Sequence, residues 1–276
     1  MKLPPIITRK EALLILHSGE SNLDVSLDLG ISKTKISMKN GIAHVGEHKV
    51  ALGAFEKIKD DACYFIQNNE IRKIYLFSDE TNFYYKLFPT SDWPTITLSS
   101  TPMHRHTNIS PKKDTELKIR EISPVTGTIL DTCCGLGYTA IMASWKADKI
   151  ITFERDENVL TVARYNPYSA ELFSSKKIEI KKEDVAIGIK KFKANFFDRI
   201  IHDPPTIRYS PLLYTIEFYK ELYRVLKPSG ILYHYAPNPQ KTKGQILYPK
   251  LIDMLKKCGF RDVEYHEVSS GIRAVK

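Results

Sequence analysis

The chain has 276 residues, 42% of them hydrophobic, so it is long enough to bury a sizeable core as one large domain or two smaller ones. No stretch approaches the roughly eighteen uninterrupted apolar residues of a membrane span, and "MKLPPIITRK" lacks the apolar centre of a signal peptide, which excludes both and predicts a soluble, cytoplasmic protein. Of the net charge of +9, most falls in residues 106–276, with 28 Lys and Arg against 20 Asp and Glu; this favours a polyanionic partner such as RNA, although solvated Lys-rich helices would give the same count.

The first hundred residues predict a small, mostly β domain. A short helix, "TRKEALLILHSG", ends at Gly19, and alternating apolar and polar residues then predict strands, with "KNG" as a hairpin turn. "LGISKTKIS" is similar to the turn of a DNA-binding helix-turn-helix, but the alternation of Val25, Leu27 and Leu29 favours strands. We place this domain at residues 1–106 and expect it to help hold the substrate or RNA.

Residues 107–276 predict an α/β domain with a leading connector helix. Strand-like runs such as "GTILDTC", "KIITFE", "KIEIKK", "FDRIIHD" and "GILYHYA" alternate with helical stretches, the last of them "GQILYPKLIDMLKKCG". This is the pattern of a doubly wound sheet whose parallel strands are buried on both faces. The closing "RDVEYHEVSSGIRAVK" predicts a terminal hairpin, and the whole order resembles the seven-stranded Rossmann-like sheet of class I methyltransferases.

A glycine-rich turn follows the first strand of this domain. "ILDTCCGLGYTA" contains Gly135-x-Gly137-x-x-Ala140 between a strand and a helix, where glycines let the backbone turn tightly and approach a ligand. On its own, the turn is a weak signal, and a tight connection without a ligand gives the same residues.

Three acidic residues at successive strand ends sharpen that signal. Asp131 precedes the glycine turn, where it would meet the ammonium group of a methionine moiety and repel a pyrophosphate, so it favours S-adenosylmethionine over NAD. Glu154 ends the next strand at the offset of an acid that accepts ribose hydroxyls, and Asp184 follows the third strand, where it would accept the adenine amino group. Each alone could be a cap or a turn residue.

The fourth strand ends on a carboxylate and two prolines, in "FFDRIIHDPPTIRYS". Pro204 confines Asp203 to extended backbone angles, and Pro205 does the same to Pro204. This leaves the backbone carbonyls rigidly aimed across the sheet from the glycine turn. A pair of prolines that only punctuates a strand end is the plainer alternative.

"LDTCCGLG", "FERDENVL" and "DPPT" resemble class I S-adenosylmethionine-dependent methyltransferases with an Asp/Asn-Pro-Pro-aromatic motif, which modify amino nitrogens conjugated to a planar system. "TPMHRH", "NPYSAELF", "LYTIEFYKELYRVLKPSG" and "YHYAPNP" resemble, more narrowly, an archaeal group of such methyltransferases over the whole chain. The resemblance implies S-adenosylmethionine as cofactor and RNA methylation, with N4 of cytidine in ribosomal RNA or its small-subunit precursor as the first hypothesis. Asp203, Pro204 and Pro205 are then the catalytic residues.

The motif has a physical logic. The lone pair of an exocyclic amine is delocalised into its ring, which makes the nitrogen a poor nucleophile. If Asp203 and the Pro204 carbonyl each accept one N–H, the lone pair leaves conjugation and points at the methyl group, so that catalysis is mostly orientation and electrostatics. The nitrogen becomes acidic as it gains the methyl group, and Asp203 can take the proton or pass it to water.

Thr206 replaces the aromatic residue of the motif, which weakens the assignment to a planar amine. Tyr209, Tyr214 or Tyr235 could stack on a base instead. The predicted substrate-binding set is Thr206, Tyr209, His234, Tyr235 and Arg105. The predicted cofactor-binding set is Asp131, Cys133, Gly135, Gly137, Tyr138, Glu154, Asp184 and His202. The plainer interpretation of His202 and His234 is a pair of satisfied histidines beside the core.

No metal site is predicted. The cysteines, Cys63, Cys133, Cys134 and Cys258, lack the spacing of metal ligands and predict a reducing compartment. "MHRH", with His104 and His106, has no further ligands nearby and is interpreted as a loop that closes over the cofactor, with Arg105 available for a carboxylate or phosphate.

Other functions stay open from the sequence. Guanine N2 and adenine N6 are alternative targets, and an aminopropyltransferase or a small-molecule N-methyltransferase would share the fold. An NAD-dependent dehydrogenase is disfavoured by Asp131 and by the terminal hairpin. An RNA-binding scaffold with a degenerate cofactor turn is disfavoured by the three intact acids.

Overall fold

A computed structural model describes residues 3–237 and 247–276, which form two compact units. The amino-terminal unit comprises Met1–Lys112 and Asn158–Ala170, and the sheet unit comprises Lys113–Glu157 and Glu171–Lys276. The division after Lys112 lies close to the predicted domain boundary. The grouping of Asn158–Ala170 with the amino-terminal unit was not expected from the sequence.

The amino-terminal unit is mostly β, as predicted. Its helices are α1 (Arg9–His17) and α2 (Leu52–Phe55). Its strands are β1 (Ile6–Ile7), β2 (Asn22–Val25), β3 (Thr34–Lys39), β4 (Ile42–Val45), β5 (His48–Ala51), β6 (Tyr64–Gln67), β7 (Glu70–Lys73), β8 (Tyr75–Ser78), β9 (Phe83–Phe88), β10 (Thr95–Leu98) and β11 (Thr101–Pro102). They form three antiparallel sheets, in the orders β1-β6-β7, β2-β3-β4-β5 and β11-β10-β9-β8.

Local sequence explains where these elements begin and turn. Thr8 and Glu11 form a reciprocal capping box that satisfies backbone N–H groups at the start of α1. Asn40 and Gly41 both have positive φ in the two-residue turn between β3 and β4, which matches the twist of a hairpin. The segment similar to a helix-turn-helix, residues 29–37, is the second part of the connection between β2 and β3 followed by the first part of β3, and it contains no helix. The interpretation as strands is confirmed for Val25 and Ile36, but Leu27 and Leu29 lie in the connection.

The sheet unit alternates strands and helices, and α3, α5 and α6 each include residues of both units. The strands are β12 (Thr128–Asp131), β13 (Lys149–Phe153), β14 (Ile178–Lys181), β15 (Phe197–His202), β16 (Leu226–Tyr235), β17 (Arg261–His266) and β18 (Gly271–Val275). The helices of this part of the chain are α3 (Pro111–Glu121), α4 (Tyr138–Ser144), α5 (Glu157–Ala163), α6 (Ala170–Ser174), α7 (Val185–Gly188), α8 (Ile216–Val225) and α9 (Tyr248–Lys257), with short 3₁₀ turns at Pro167–Ser169, Ile189–Lys191 and Pro211–Tyr214. The predicted last helix starts within residues 238–246, outside the described residues, and its described part is α9.

The seven strands form one mixed sheet in the order β14-β13-β12-β15-β16-β18-β17. Strands β12 to β16 pair in parallel, while β18 runs antiparallel to both β16 and β17. The predicted class I methyltransferase fold with a terminal antiparallel hairpin is therefore confirmed. A core of apolar side chains from the strands and from α8 and α9 supports the sheet. Within the described ranges, no helix has the length and apolar character to cross a membrane.

The register of the sheet brings the candidate residues to one edge. Asp131 at the end of β12 pairs with Thr152 of β13 on one side and with Ile201 of β15 on the other. His202 at the end of β15 pairs with His234 of β16. Because the carboxyl ends of parallel strands meet at the same edge, residues that follow β12, β13, β14 and β15 surround one region.

Candidate active site

The glycine turn leaves its backbone open on one side. Gly135 has a φ of +55°, and a Cβ added there would meet no atom within 4 Å. Gly137 has a φ of +81°, its N–H donates to the Cys134 carbonyl at 2.8 Å, and an added Cβ would lie 2.6 Å from a methyl carbon of Leu172. The first glycine therefore faces space that a ligand can fill, whereas the second allows close packing inside the protein.

Asp131 is fully buried directly before this turn. Its carboxylate accepts hydrogen bonds from the Thr152 hydroxyl at 2.7 Å and the Thr139 hydroxyl at 3.3 Å. Burial raises the pKa of Asp131 to about 7, although the hydrogen bonds from the two hydroxyls lower it. A cation bound beside this carboxylate would stabilise its ionised form.

Glu154 ties the end of β13 to the glycine turn. One carboxylate oxygen accepts the Gly135 N–H at 3.0 Å, and the other accepts the Asp156 N–H at 3.0 Å. Burial raises the pKa of Glu154 to about 7 in spite of these two donors. The carboxylate thus lies beside the open backbone of the turn, where the sequence predicts ribose recognition.

Asp184 is the N-cap of α7, accepting the Ala186 N–H at 2.8 Å, and it also pairs with Arg155 at 3.0 Å. Arg155 donates in addition to the Tyr209 carbonyl at 3.3 Å, so one guanidinium links the loop after β13, the end of β14 and the loop after β15. The capping role that the sequence left open is present, and it is compatible with an acceptor for an adenine amino group.

Cys133 and Tyr138 flank the glycine turn in the sequence. The Thr132 hydroxyl lies 3.7 Å from the sulfur of Cys133, and burial raises the pKa of this thiol well above its ordinary value, so it is protonated. Tyr138 begins α4 and is 2% exposed. Their predicted contacts with a cofactor stay predictions.

Asp203 belongs to a charge cluster around the buried ammonium of Lys118. Its carboxylate contacts the ammonium of Lys118 at 2.6 Å, and the same ammonium contacts Asp114 at 2.9 Å. The Lys118 side chain is 4% exposed, and it lies over the ring of Tyr235, 4.7 Å from the centroid. Asp203 is more open, at 22%, so it is the member of the cluster that a substrate can reach.

The two prolines and the residues after them differ in exposure. Pro204 is buried, Pro205 is half-buried, and the Tyr214 hydroxyl donates to the Pro205 carbonyl at 2.8 Å. Thr206 is exposed, and Tyr209 is half-buried. The Tyr214 hydroxyl therefore fixes the backbone of the turn after Asp203 at Pro205. Tyr209 is an aromatic residue on this loop that is partly open to solvent.

The two histidines are satisfied within the core. His202 contacts the Thr132 hydroxyl at 2.8 Å and the Leu213 carbonyl at 3.1 Å. His234 contacts the Tyr219 hydroxyl at 2.9 Å and the Tyr235 carbonyl at 2.8 Å. Burial lowers the pKa of His202 well below its ordinary value and that of His234 to about 4, so both are neutral at pH 7. With both ring nitrogens of each engaged, the geometry gives no support to their predicted roles in cofactor and substrate binding, and it matches the plainer interpretation.

Arg105 belongs to the amino-terminal unit, as do His104 and His106. The ring of His104 contacts the Thr95 hydroxyl at 2.9 Å. Among the residues that the structure describes, no group of three or more His, Cys, Asp and Glu side chains could hold a metal ion. The roles expected for the "MHRH" loop stay predictions.

Lys118 and Asp114 are the site residues that sequence reasoning missed. They lie four residues apart in the connector helix, a spacing that usually marks a solvated ion pair on a helix surface. The available signal was the connector's "KKDTELKI", whose apolar Leu117 and Ile119 flank the lysine. It shows that part of this helix is buried but not that the lysine is.

Comparisons with known proteins agree with the fold. The model of the methyltransferase small domain family matches residues 112–258. An uncharacterized protein of Methanocaldococcus jannaschii is 41% identical over 98% of this chain and 95% of its own length. A polyamine aminopropyltransferase of Prochlorococcus marinus is 35% identical over 101 residues, which are 36% of this chain and 36% of that protein. The crystal structure of spermidine synthase from Thermotoga maritima is similar with a TM-score of 0.57 and 21% identity, covering 73% of this chain and 70% of that chain, a likeness that shows the fold alone.

Proposed function

Because the chain belongs to the methyltransferase small domain family, we propose that this S-adenosylmethionine-dependent enzyme methylates an exocyclic base amine in RNA. The first candidate target is N4 of cytidine in ribosomal RNA. The observation that carries the proposal is Asp203, a carboxylate at the end of β15, stiffened by two prolines and held by a buried lysine.

The residues at the glycine turn fit the cofactor. The open side of Gly135 admits a ligand to the backbone, Asp131 suits an ammonium group, and Glu154 and Asp184 are acceptors for hydroxyl and amino groups. When bound, S-adenosylmethionine supplies an electrophilic methyl group. The protein's part is to orient the acceptor nitrogen toward it.

Asp203 and the Pro204 carbonyl would hold the two N–H groups of the amine. Among the described residues, none donates a hydrogen bond to the Pro204 carbonyl, whereas Tyr214 already occupies that of Pro205. With both N–H groups held, the nitrogen lone pair is directed out of the ring plane. As the nitrogen forms its bond to the methyl carbon, the bond from that carbon to sulfur breaks, and the nitrogen proton passes to Asp203 or to water.

The charge distribution supports RNA as the partner. Residues 106–276 hold 28 Lys and Arg against 20 Asp and Glu. A base inside a duplex cannot reach a carboxylate at the edge of a sheet, so the target nucleotide is unpaired or flipped out. Tyr209, half-buried on the loop after Asp203, is the candidate to stack on it.

An aminopropyltransferase is the second candidate. The partial identity with the Prochlorococcus enzyme favours it, although that match spans about a third of either chain. The two candidates differ in their second substrate and in the group that is transferred, so products distinguish them.

The test is a pair of product assays on the purified protein. One assay supplies S-adenosylmethionine labelled on its methyl group with RNA from a strain that lacks the gene, followed by mass spectrometry of nucleosides. The other supplies decarboxylated S-adenosylmethionine with putrescine. We expect a methylated nucleoside in the first and no aminopropyl product in the second; the reverse result establishes the second candidate.

Asp203→Asn tests the catalytic assignment. We expect the rate of methyl transfer to fall by about a hundredfold or more, because the amide no longer accepts the proton or the N–H in the same way. Binding of S-adenosylhomocysteine, measured by calorimetry, should stay within about twofold of the wild-type value. Asp253→Asn is the matched control, since Asp253 is an exposed carboxylate paired with Lys257 on α9. Full activity of Asp203→Asn would remove Asp203 from the mechanism.

A further inference from the structure

Lys118 is a cation buried in the protein next to the proposed catalytic carboxylate. Its ammonium lies 2.6 Å from Asp203 and 2.9 Å from Asp114, and the side chains of Lys118 and Asp114 are 4% and 1% exposed. The ring of Tyr235 covers another side of the ammonium, with the nitrogen 4.7 Å from the centroid. Lysine is almost never buried to this extent unless it is paired.

This lysine is charged in spite of its burial. Burial disfavours the ammonium, but the carboxylates of Asp203 and Asp114 outweigh that effect and raise the pKa of Lys118 above its ordinary value. Replacing a buried ion pair by apolar residues is often neutral or stabilising, so stability alone does not explain such a cluster at the edge of an active site.

We propose that Lys118 is a positioning and specificity-determining residue, which fixes the orientation and charge of Asp203 and restricts the acceptor to amines that are uncharged at neutral pH. This inference rests on the proposed function, in which Asp203 holds the acceptor nitrogen. Lys118 itself acts through Asp203.

The orientation follows from the direction of the contact. Lys118 reaches Asp203 from α3 and engages the Oδ2 atom, while Pro204 and Pro205 restrict the backbone that follows. A side chain fixed at one carboxylate oxygen and at its backbone has few rotamers left. An amine that must be aligned within a narrow range of angles gains from this restriction.

The choice of substrate follows from the sign of the charge. An acceptor nitrogen bonded to Asp203 would lie within a few ångströms of the Lys118 ammonium. A neutral aromatic amine is little affected by this cation, whereas a protonated alkylamine such as a polyamine is attracted less by Asp203 than it would be by a carboxylate without a paired lysine. The site therefore favours a base amine over the substrate of an aminopropyltransferase.

The charge of Asp203 depends on several neighbours. The titratable groups that interact with it directly are Lys118 of α3, Asp131 of β12, Cys133 of the turn after β12 and Tyr214 of the 3₁₀ turn after β15. Asp114 of α3 and Tyr235 of β16 act on Lys118. Lys118 is the cation of this set, so its removal leaves Asp203 beside buried acids and makes it easier to protonate.

The first test is the pH profile of methyl transfer to RNA by Lys118→Met, Lys118→Arg and the control Lys113→Met. Lys113 is on the same helix, and its side chain is 54% exposed. Lys113→Met therefore removes the same formal charge as Lys118→Met, but from the surface. In Lys118→Met we expect the acid limb of kcat to move up by about one pH unit or more and kcat at pH 7 to fall about tenfold, with a smaller change in KM. Lys118→Arg should restore most of the profile, and Lys113→Met should match the wild type. An acid limb that does not move in Lys118→Met would overturn the proposal, because a merely structural lysine changes the amount of folded enzyme and not its profile.

The second test does not depend on RNA being the substrate. Calorimetry measures putrescine binding to protein saturated with S-adenosylhomocysteine. We expect no heat of binding to the wild type or to Lys113→Met at millimolar putrescine, and measurable binding to Lys118→Met. Putrescine binding by the wild type would overturn the inference. If RNA is not methylated but this pattern holds, the proposed function fails while the inference about charge stands.

Lys118→Met leaves Asp114 buried without its cation, which can prevent folding. The double variant Asp114→Asn with Lys118→Met removes that buried charge as well. Both tests apply to it with the same expected results, so the proposal stays open to refutation even if the single variant does not fold.

Discussion

Two carboxyl groups at the strand ends, those of Asp131 and Glu154, have pKa values raised above the ordinary range. Burial raises the pKa of Asp131 and of Glu154 to about 7, although each accepts two hydrogen bonds. Near neutral pH both groups therefore change between a neutral and an anionic form. A ligand that carries an ammonium group and hydroxyl donors stabilises the anionic forms.

We expect the affinity for S-adenosylhomocysteine to decrease below about pH 7. The ligand ammonium favours ionised Asp131, so binding at a pH below its pKa releases a proton, and affinity falls about tenfold per pH unit for one such proton. Above about pH 8 the carboxyl group is already ionised, and the affinity stays constant until the ligand ammonium itself loses its proton. Calorimetry across this range, in buffers of different ionisation enthalpy, measures both the affinity and the released proton. In Asp131→Asn we expect neither the pH dependence of the affinity nor the released proton. An affinity independent of pH in the wild type would contradict the assignment of Asp131 as the partner of the ligand ammonium.

At the scale of residues, the sequence is informative about carboxylates and silent about their partners. Asp131, Glu154 and Asp203 were placed correctly at one edge, because position after a strand determines where a short side chain lies. Lys118 was missed, because an Asp–Lys pair four residues apart has the same spacing on a buried face and on a solvated one. The roles of His202 and His234 were ambiguous for a similar reason. They depend on burial and on hydrogen-bond partners, and the sequence alone predicts neither.

At the scale of elements, the glycine turn combines two kinds of glycine. Gly135 and Gly137 both have positive φ, but an added Cβ would enter open space at the first and the side chain of Leu172 at the second. The motif predicted a turn that approaches a ligand. It did not separate the glycine that faces the ligand from the one that permits packing of the protein.

We expect Gly135→Ala and Gly137→Ala to fail in different ways. Gly137→Ala should destabilise the protein by roughly 1–3 kcal/mol, because its Cβ would lie 2.6 Å from Leu172. Gly135→Ala meets no atom and should cost only about 1 kcal/mol for the backbone angle, yet lower the affinity for S-adenosylhomocysteine about tenfold or more. Chemical denaturation and calorimetry on both variants measure the two effects. Wild-type affinity in Gly135→Ala would mean that the ligand does not approach the turn at this point.

At the scale of the whole molecule, the order of elements was predictable, but the grouping of one segment was not. Alternating strands and helices followed by two strands lead to one sheet topology, and the structure has it. Asn158–Ala170, which includes most of α5, follows β13 in the sequence and yet groups with the amino-terminal unit. The local sequence does not predict this grouping, because the amphipathic pattern of a helix does not identify the element against which its apolar face packs. The predicted roles of the amino-terminal domain and of Arg105 stay predictions.

We expect binding to RNA to be strongly dependent on salt. The chain has a net charge of +9, and each phosphate neutralised by Lys or Arg releases counterions. For about three such contacts on a single strand, the affinity should fall roughly twentyfold between about 50 and 200 mM salt. Fluorescence anisotropy with a labelled RNA fragment measures the slope, with a polyanion such as heparin as competitor. An affinity that does not change with salt would argue against a polyanionic partner.

The position of β18 has a consequence for the biogenesis of the enzyme. Because β18 lies between β16 and β17, a ribosome delivers β17 before the strand that joins it to the sheet exists. Until residues 271–275 emerge, β16 keeps an unpaired edge and β17 has nothing to pair with, so this half of the sheet assembles after translation of both. Tyr235, which covers the Lys118 ammonium, ends β16 and pairs with Gly271, so the proposed site is complete only after residues 271–275 have joined the sheet.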